Sequence, residues 1–313
     1  MNRFVSILSS TNLKRKRALA VLLLVGAASL CVHFLLSSPL SGSALLYVSI
    51  PYLLALVIAA LQPYAPDSKW FHKYVRFLAN AAIVFLASSL VLREGFLCVL
   101  LFMPILLIGV TTAFLSEWLI THLEGRARQL SIALPICVLA SGLEGTHERL
   151  SFDRTEQVTA IVRSVYSAEE LRYNLTLPMR LETDRNWLLT LFPMPYEIDS
   201  STFHLGAIHS AKTRYHRWFV TNTHEGEFRL QLTDVSDLHV ASRVTHDTSY
   251  FSNYLTLLGS SVKLSPLPDG GTDIELTIDY QRDLDPAWYF GPIQRYAIEQ
   301  TAKLVIQEVI IRD

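Results

Sequence analysis

Residues 259–309 read GSSVKLSPLPDGGTDIELTIDYQRDLDPAWYFGPIQRYAIEQTAKLVIQEV. Two runs with the period-two alternation of a half-buried strand flank the turn from Pro266 to Gly271. Its Pro268-Asp269-Gly270 core combines a preset φ, a side chain that bonds its own backbone and a residue free to take positive φ. In the second run Ile274, Leu276, Ile278 and Tyr280 share one face, and Asp273, Glu275, Thr277 and Asp279 the other. Beyond it a long helix is expected, with Asp285 as N-cap and Pro286 as first residue. Phe290, Ile293, Ala297, Ala302, Val305 and Val309 form its apolar face, while Arg295, Glu299, Lys303 and Gln307 face water. Gly291-Pro292 is expected to kink this helix or to mark its true start.

Working upstream, alternation and turn residues predict strands at Glu156–Tyr166, Phe203–His209, Thr213–Thr221, Glu227–Val235, His239–Thr248, Leu257–Ser265 and Thr272–Tyr280. SAEELRYNL starts a helix capped by Ser167, with Glu169 and Glu170 in its first turn. A second short helix fits Arg185–Phe192. The order of strand, two helices, six strands and long terminal helix resembles the START-like SRPBCC superfamily, including its polyketide cyclase/dehydrase and lipid-transport group, over about Thr155–Ile311. The stretch 259–309 carries the most specific part of that resemblance: a final hairpin, a tyrosine-bearing strand end and a Pro/aromatic entry into the last helix. It implies an α+β helix-grip domain, a curved antiparallel sheet around the long C-terminal helix, with an apolar cavity between them. The superfamily holds carriers, cyclases, hydrolases and regulators, so the fold leaves function open.

The first half of the chain is of another kind. Of its 313 residues, 1–143 contain 11 Lys and Arg against 4 Asp and Glu, and 144–313 contain 16 against 24. A basic, apolar half followed by an acidic one suggests a membrane domain, 1–145, joined to a water-exposed domain, 150–313. The acidic domain lacks the clustered cations that nucleic acid selects, and an anionic lipid surface should weakly repel it. A bilayer core needs about 20 apolar residues. Ala18–Leu36, Ala44–Leu61, Phe77–Leu92 and Phe96–Leu115 meet or approach that, and Pro51 and Pro104 are tolerated inside such helices. Lys and Arg fall on alternate sides: Arg3, Lys14, Arg15, Lys16 and Arg17, then Lys69, Lys73 and Arg76, then Arg126 and Arg128, against Arg93 alone. The N-terminus is therefore expected in the cytoplasm.

A fifth segment, 129–146, decides the side of the acidic domain. Gln129–Leu143 makes only about 22 Å of helix, and extension to Thr146 reaches about 28 Å against a core of about 30 Å. A re-entrant or surface helix is the competing reading, encouraged by Pro135, Ser131, Ser141 and Gly142. ALPICVLASGL has no polar face with which to lie flat, so the segment is read as crossing, which makes the domain extracytoplasmic. Most superfamily members lack such a membrane half, although a fused form looks like some bacterial membrane proteins. A bacterial inner membrane is the expected location.

Chemical motifs are sparse. Cys31, Cys98 and Cys137 lie in apolar runs with no zinc spacing. Seven histidines of the second half show no HExxH or comparable pattern, so no metal site is expected, and no dinucleotide, P-loop or GxSxG motif suggests a cofactor or a serine nucleophile. His246-Asp247, with Tyr250, Tyr254 and Tyr280, is the best acid/base set available; strand-end capping is the plainer role for the same residues. Trp218, Phe228, Leu230 and Ile278 are candidate lining residues of the ligand cavity. Tyr280, Trp288, Tyr289, Ile293 and Tyr296 complete the set; a solid core is the alternative. Trp288-Tyr289-Phe290 cannot all face one side of a helix, so at least one is expected at a cavity mouth, partner surface or lipid interface. Asn174-Leu-Thr176 fits a glycosylation sequon and is read as chance. The chain is thus expected to be a multi-pass membrane protein whose partners are the bilayer and a hydrophobic small molecule, lipid or isoprenoid-like. A cyclase, dehydratase or hydrolase working in the same cavity, and a non-catalytic scaffold, are the alternatives.

Overall fold

In a computed structural model, residues 40–61, 70–91, 96–123, 133–180, 194–199, 202–218 and 221–312 are described. They belong to two compact units, Met1–Phe152 and Asp153–Asp313. The expected first membrane helix, 18–36, lies outside the described residues, as does the short helix at Arg185–Phe192.

The first unit is helical. A π-helical turn, Leu45–Ser49, runs into α1 (Ile50–Leu61), followed by α2 (Trp70–Val91), α3 (Phe96–His122) and α4 (Ala133–Ser141). α2 and α3 extend beyond the apolar runs that suggested them. α2 begins seven residues before Phe77, taking Lys73 and Arg76 into its first two turns, and α3 continues to His122 rather than Leu115. Counting apolar residues stops at the first polar one, whereas a helix continues until its backbone hydrogen bonds are interrupted. Of the fifth segment, the described helix covers only nine residues, about 13 Å; residues 124–132 lie outside the described part. Among the described residues, no helix is long and apolar enough to cross a membrane.

The helices of this unit pack around Phe114, against which Trp70, Tyr74 and Phe77 place their rings. Polar groups are paired within it: Tyr52 Oη with Ser116 Oγ at 3.0 Å, and Tyr74 Oη with Thr111 Oγ1 at 3.0 Å. The end of α4 folds back on the start of the π-turn, where Ala44 N–H donates to Glu144 O at 2.9 Å. Ser49 is buried beside Gly142, and a Cβ at 142 would fall 1.7 Å from Ser49 Oγ. Glycine is what permits that approach.

The described residues of the second unit form an eight-stranded antiparallel sheet and one long helix. Its strands are β1 (Thr155–Ser164), β2 (Met179–Arg180), β3 (Met194–Asp199), β4 (Ile208–Trp218), β5 (Thr221–Val235), β6 (His239–Asp247), β7 (Leu255–Pro266) and β8 (Thr272–Arg282). They lie in the order β1-β8-β7-β6-β5-β4-β3-β2, a meander closed by the first strand. One long strand, β4, replaces the two expected at Phe203–His209 and Thr213–Thr221; the turn around Gly206, with φ +83°, precedes it. β2 and β3 have no counterpart among the expected strands, because the apolar signal of the short MPYEID run is too brief to show a period. Bulges between Arg229 and Leu230, Leu232 and Asp234, and Leu257 and Gly259 bend their strands and add twist, which helps curl the sheet.

α5 (Ala168–Asn174) starts with a full capping box between Ser167 and Glu170. α6 (Ala287–Val305), extended by a π-turn over Ile306–Ile311, lies against β1 and β8. Leu171, Ile274, Leu276, Ala302, Ile306 and Ile310 form the main core, and Val158, Leu255, Tyr280 and Ile298 a second cluster. A fully buried leucine or isoleucine contributes roughly 1.5–3 kcal/mol. Asn174 Nδ2 donates to Ile310 O at 2.9 Å, and Arg312 Nη2 donates to Asn174 O and Leu177 O at 3.0 Å each, so α5 ties down the end of α6. That use of its amide makes Asn174 a structural residue. The expected N-cap, Asp285, does not cap: Pro286 occupies that position without a side-chain bond, and the helix runs through Gly291-Pro292.

Candidate functional site

The concave side of the sheet, facing α6, is the first candidate. On β8 the residues 274, 276, 278 and 280 point inward, and Ile274, Leu276 and Tyr280 are buried. On β5, Leu232 is buried, and by alternation Leu230 and Phe228 share its face; both are only half-buried. Ile278, Ile293 of α6, Val244 and Leu257 are likewise half-buried. The backbone of Trp218 closes β4, but its side chain lies outside the described part. Trp288 and Tyr296 do not line this face: they are 56% and 49% exposed. Their position follows from helical geometry, since residues 288, 292 and 296 form a stripe that α6 turns away from its apolar side.

The proposed acid/base residues are spread out. His246 is exposed on β6 opposite Arg229, and Asp247 Oδ1 accepts from Ser249 N–H at 2.8 Å, a local turn bond. Tyr250 is buried, stacks on Tyr215 with 4.5 Å between centroids, and accepts a hydrogen bond from Tyr254 Oη at 3.2 Å. Tyr280 lies on β8, two strands and so on the order of 10 Å from β6. Its hydroxyl turns the other way, donating to Glu156 Oε2 on β1 at 3.0 Å. Burial first, and then the adjacent Glu156 carboxylate, push the Tyr280 phenol far above its ordinary value. It is a neutral donor at physiological pH. Other histidines serve local structure: His209 Nε2 lies 2.7 Å from Thr202 O, and His239 Nδ1 2.8 Å from Asp234 Oδ2.

Tyr280 instead belongs to a charged cluster at the head of α6. Arg282 and Asp285, both 0% exposed, pair through Nη1 and Oδ1 at 2.5 Å, and Arg154 also binds Asp285 Oδ2. Arg282 Nη1 further donates to Leu284 O at 2.7 Å, and its Nε lies 3.6 Å from Glu156 Oε1. Glu156 also receives Arg295 at 3.2 Å. Three guanidinium groups and two carboxylates thus join the first residues of β1, the last of β8 and the first turns of α6. Sequence reading gave Asp285 a capping role, set Arg295 toward water and began a strand at Glu156, without joining any of them to Tyr280 or to Arg154 and Arg282. The signal was available in parity: Arg282 continues the inward series 274-276-278-280, and Glu156 the inward series of β1 with Val158 and Ala160. A charged residue in a buried alternation requires a partner of opposite charge.

No family model and no curated protein sequence matches the chain. Solved structures match its C-terminal half. A START superfamily protein from Mycobacterium smegmatis is 12% identical with a TM-score of 0.33, over 49% of this chain and 96% of that one. The Zhui aromatase/cyclase from Streptomyces sp. R1128 is 13% identical, TM-score 0.28, over 51% and 88%. A norcoclaurine synthase point mutant from Thalictrum, solved with a transition-state analogue, is 12% identical, TM-score 0.26, over 49% and 94%. Likenesses of this size carry no activity from those proteins to this one.

Proposed function

We propose that this chain is a membrane-anchored protein whose C-terminal helix-grip domain binds a hydrophobic small molecule between its sheet and α6. The supporting observation is the half-burial of Phe228, Leu230, Val244, Leu257, Ile278 and Ile293. They face the place where a solid core would bury them, and apolar walls with few polar tips are what a lipid-like ligand requires. Binding would proceed by partition from the bilayer, with the tether keeping the domain within reach. The test uses full-length protein in detergent and 8-anilinonaphthalene-1-sulfonate as probe. Saturable binding in the wild type that is lost in Ile278→Trp, with the fold intact by circular dichroism, supports the cavity. Equal binding by both proteins overturns it.

The membrane reading rests on the sequence alone, on its apolar runs at 18–36, 44–61, 77–92 and 96–115 and on the alternation of Lys and Arg between them. The orientation is supported by the bond from Ala44 N–H to Glu144 O. If α1 runs from the outer side inward, as the positions of Lys and Arg require, its beginning marks the outer face. The end of α4 lies beside that beginning, so the chain leaves the bilayer there and residues 153–313 are extracytoplasmic. Topology reporters after Arg128 and after Asp313 are expected to report opposite sides. The same side for both refutes this orientation.

A further inference from the structure

Gln294 lies on the wrong side of α6 for a polar residue. Phe290 stands one turn before it and Ile298 one turn after, both buried, and Gln294 itself is only 8% exposed. Steps of four keep to one helical face, so its amide sits on the apolar face of the helix. Ile298 shares a cluster with Val158, Leu255 and Tyr280, and Leu257 and Ile278 pack against that cluster. Those last two are half-buried walls of the cavity proposed above.

Only half of the amide is used. Gln294 Nε2 donates to Tyr254 O at 3.1 Å and so braces the turn between β6 and β7. Gln294 Oε1 is buried and has no hydrogen-bond partner among the described residues. Bracing the turn accounts for the nitrogen and leaves the oxygen unexplained, and an enclosed amide oxygen costs free energy until a donor reaches it.

The braced turn and the strand end before it hold two more such atoms. Buried Ser249 has an unpartnered Oγ among the described residues, and Asp247 an unpartnered, buried Oδ2. The other oxygen of Asp247 accepts from Ser249 N–H. Asp247 lies directly opposite Phe228 in the pairing of β5 with β6. Opposite residues of an antiparallel pair share a face, so this carboxylate belongs to the concave side. An otherwise apolar wall thus has one polar corner, with two open acceptors and one open hydroxyl.

We infer that the cavity takes an apolar molecule bearing a hydroxyl group, and that this hydroxyl donates to Gln294 Oε1 in the corner between α6 and the β6–β7 turn. The inference rests on the cavity reading above. A hydroxyl gives one proton and accepts others, which suits open acceptors accompanied by the open Ser249 hydroxyl. A carboxylate or an ether has no proton to offer Gln294 Oε1. An ammonium brings three protons and a charge into apolar walls, which is costly. The ligand class is therefore an alcohol or phenol with a hydrocarbon body.

The test uses full-length protein in detergent and displacement of 8-anilinonaphthalene-1-sulfonate by 2-naphthol and by its methyl ether, in the wild type and in Gln294→Met. The ether differs from the naphthol in having methyl in place of the hydroxyl proton. Methionine conserves side-chain volume, and loss of ligand to micelles is the same for both proteins. We expect the Kd of 2-naphthol to rise about tenfold in the variant, while that of the ether stays within about two-fold. Gln294→Glu, which keeps an acceptor oxygen, should retain the wild-type preference. A 2-naphthol Kd unchanged in Gln294→Met, equal weakening of both ligands, or a preference lost in Gln294→Glu overturns the hydroxyl site and leaves the cavity standing. Wild-type protein from which neither ligand displaces the probe removes the cavity and the hydroxyl site together.

Discussion

Replacing Arg282 by methionine should loosen the second unit more than any surface change, and the size of the effect follows from what the substitution strands. Methionine keeps most of the volume and removes the charge. Asp285 then loses the bond to Arg282 Nη1, though Arg154 still reaches its other oxygen, and Leu284 O loses its donor. Breaking one side of a buried ion pair costs about 3–5 kcal/mol. The surviving Arg154 contact places this case near the lower limit, about 3 kcal/mol, or a factor of roughly 150 in the opening equilibrium at 1.4 kcal/mol per tenfold. The assay is hydrogen exchange of the β8 amides, Thr272 to Arg282, in the full-length protein. Their protection should fall about 100-fold in Arg282→Met. Arg282→Met combined with Asp285→Leu should recover part of that loss, because the two fully buried charges are replaced by an apolar pair while Arg154, 29% exposed, loses its carboxylate but keeps access to water. Protection unchanged in the single variant, or a double variant worse than the single, would refute the reasoning.

Four further outcomes are expected. His246→Ala, at an exposed position outside the concave face, should leave stability within about 0.5 kcal/mol and probe binding unchanged; a loss of binding without unfolding would restore His246 to the site. Ser167→Ala should cost about 0.5–2 kcal/mol through loss of the α5 cap, read as faster exchange of the α5 amides. The capping bonds from Ser167 N–H and Oγ–H hold the Glu170 carboxyl below its ordinary 4.5, so their contribution is present above that pH and disappears as pH falls through the lower folded value; in Glu170→Gln the acid-side change in α5 exchange should vanish. Gly142→Ala should lower the thermal stability of the first unit by forcing Ser49 aside, and Ser49→Gly in the same protein should restore it.

What could be read from the sequence was whatever repeats along the chain or is enforced by neighbours in it. The β7–β8 hairpin around Pro268-Asp269-Gly270 is of this kind, and Gly270 takes φ +89°. So is the Ser167 cap with Glu170 three residues on, and the face of α6 from Phe290 to Val309. Each needs only a few consecutive residues to be determined, because the deciding energies are local: a turn's φ values, a cap's hydrogen bond, a period that matches the backbone. Short β3 and two-residue β2 escaped because their stability comes from β4 beside them and not from their own composition.

The candidate site divides along the same line. Phe228, Leu230 and Ile278 could be assigned to an inward face from alternation alone, but Trp288 and Tyr296 could not be separated from them, since an aromatic in a helix reads the same whether it meets the sheet or the solvent. Asp285 shows the limit most plainly. As a residue before Pro286 it has every local mark of an N-cap, yet its carboxylate goes to Arg282 and to Arg154, the latter 131 positions away. A buried carboxylate takes the strongest donors within reach, and two guanidinium groups outweigh a backbone N–H. Sequence by itself determined the β7–β8 hairpin, the Ser167 cap and the alternating inward faces of β5 and β8 in the second unit. Only the tertiary structure, by bringing the start of β1 to the end of β8, decided where its charges reside and which aromatic remains outside.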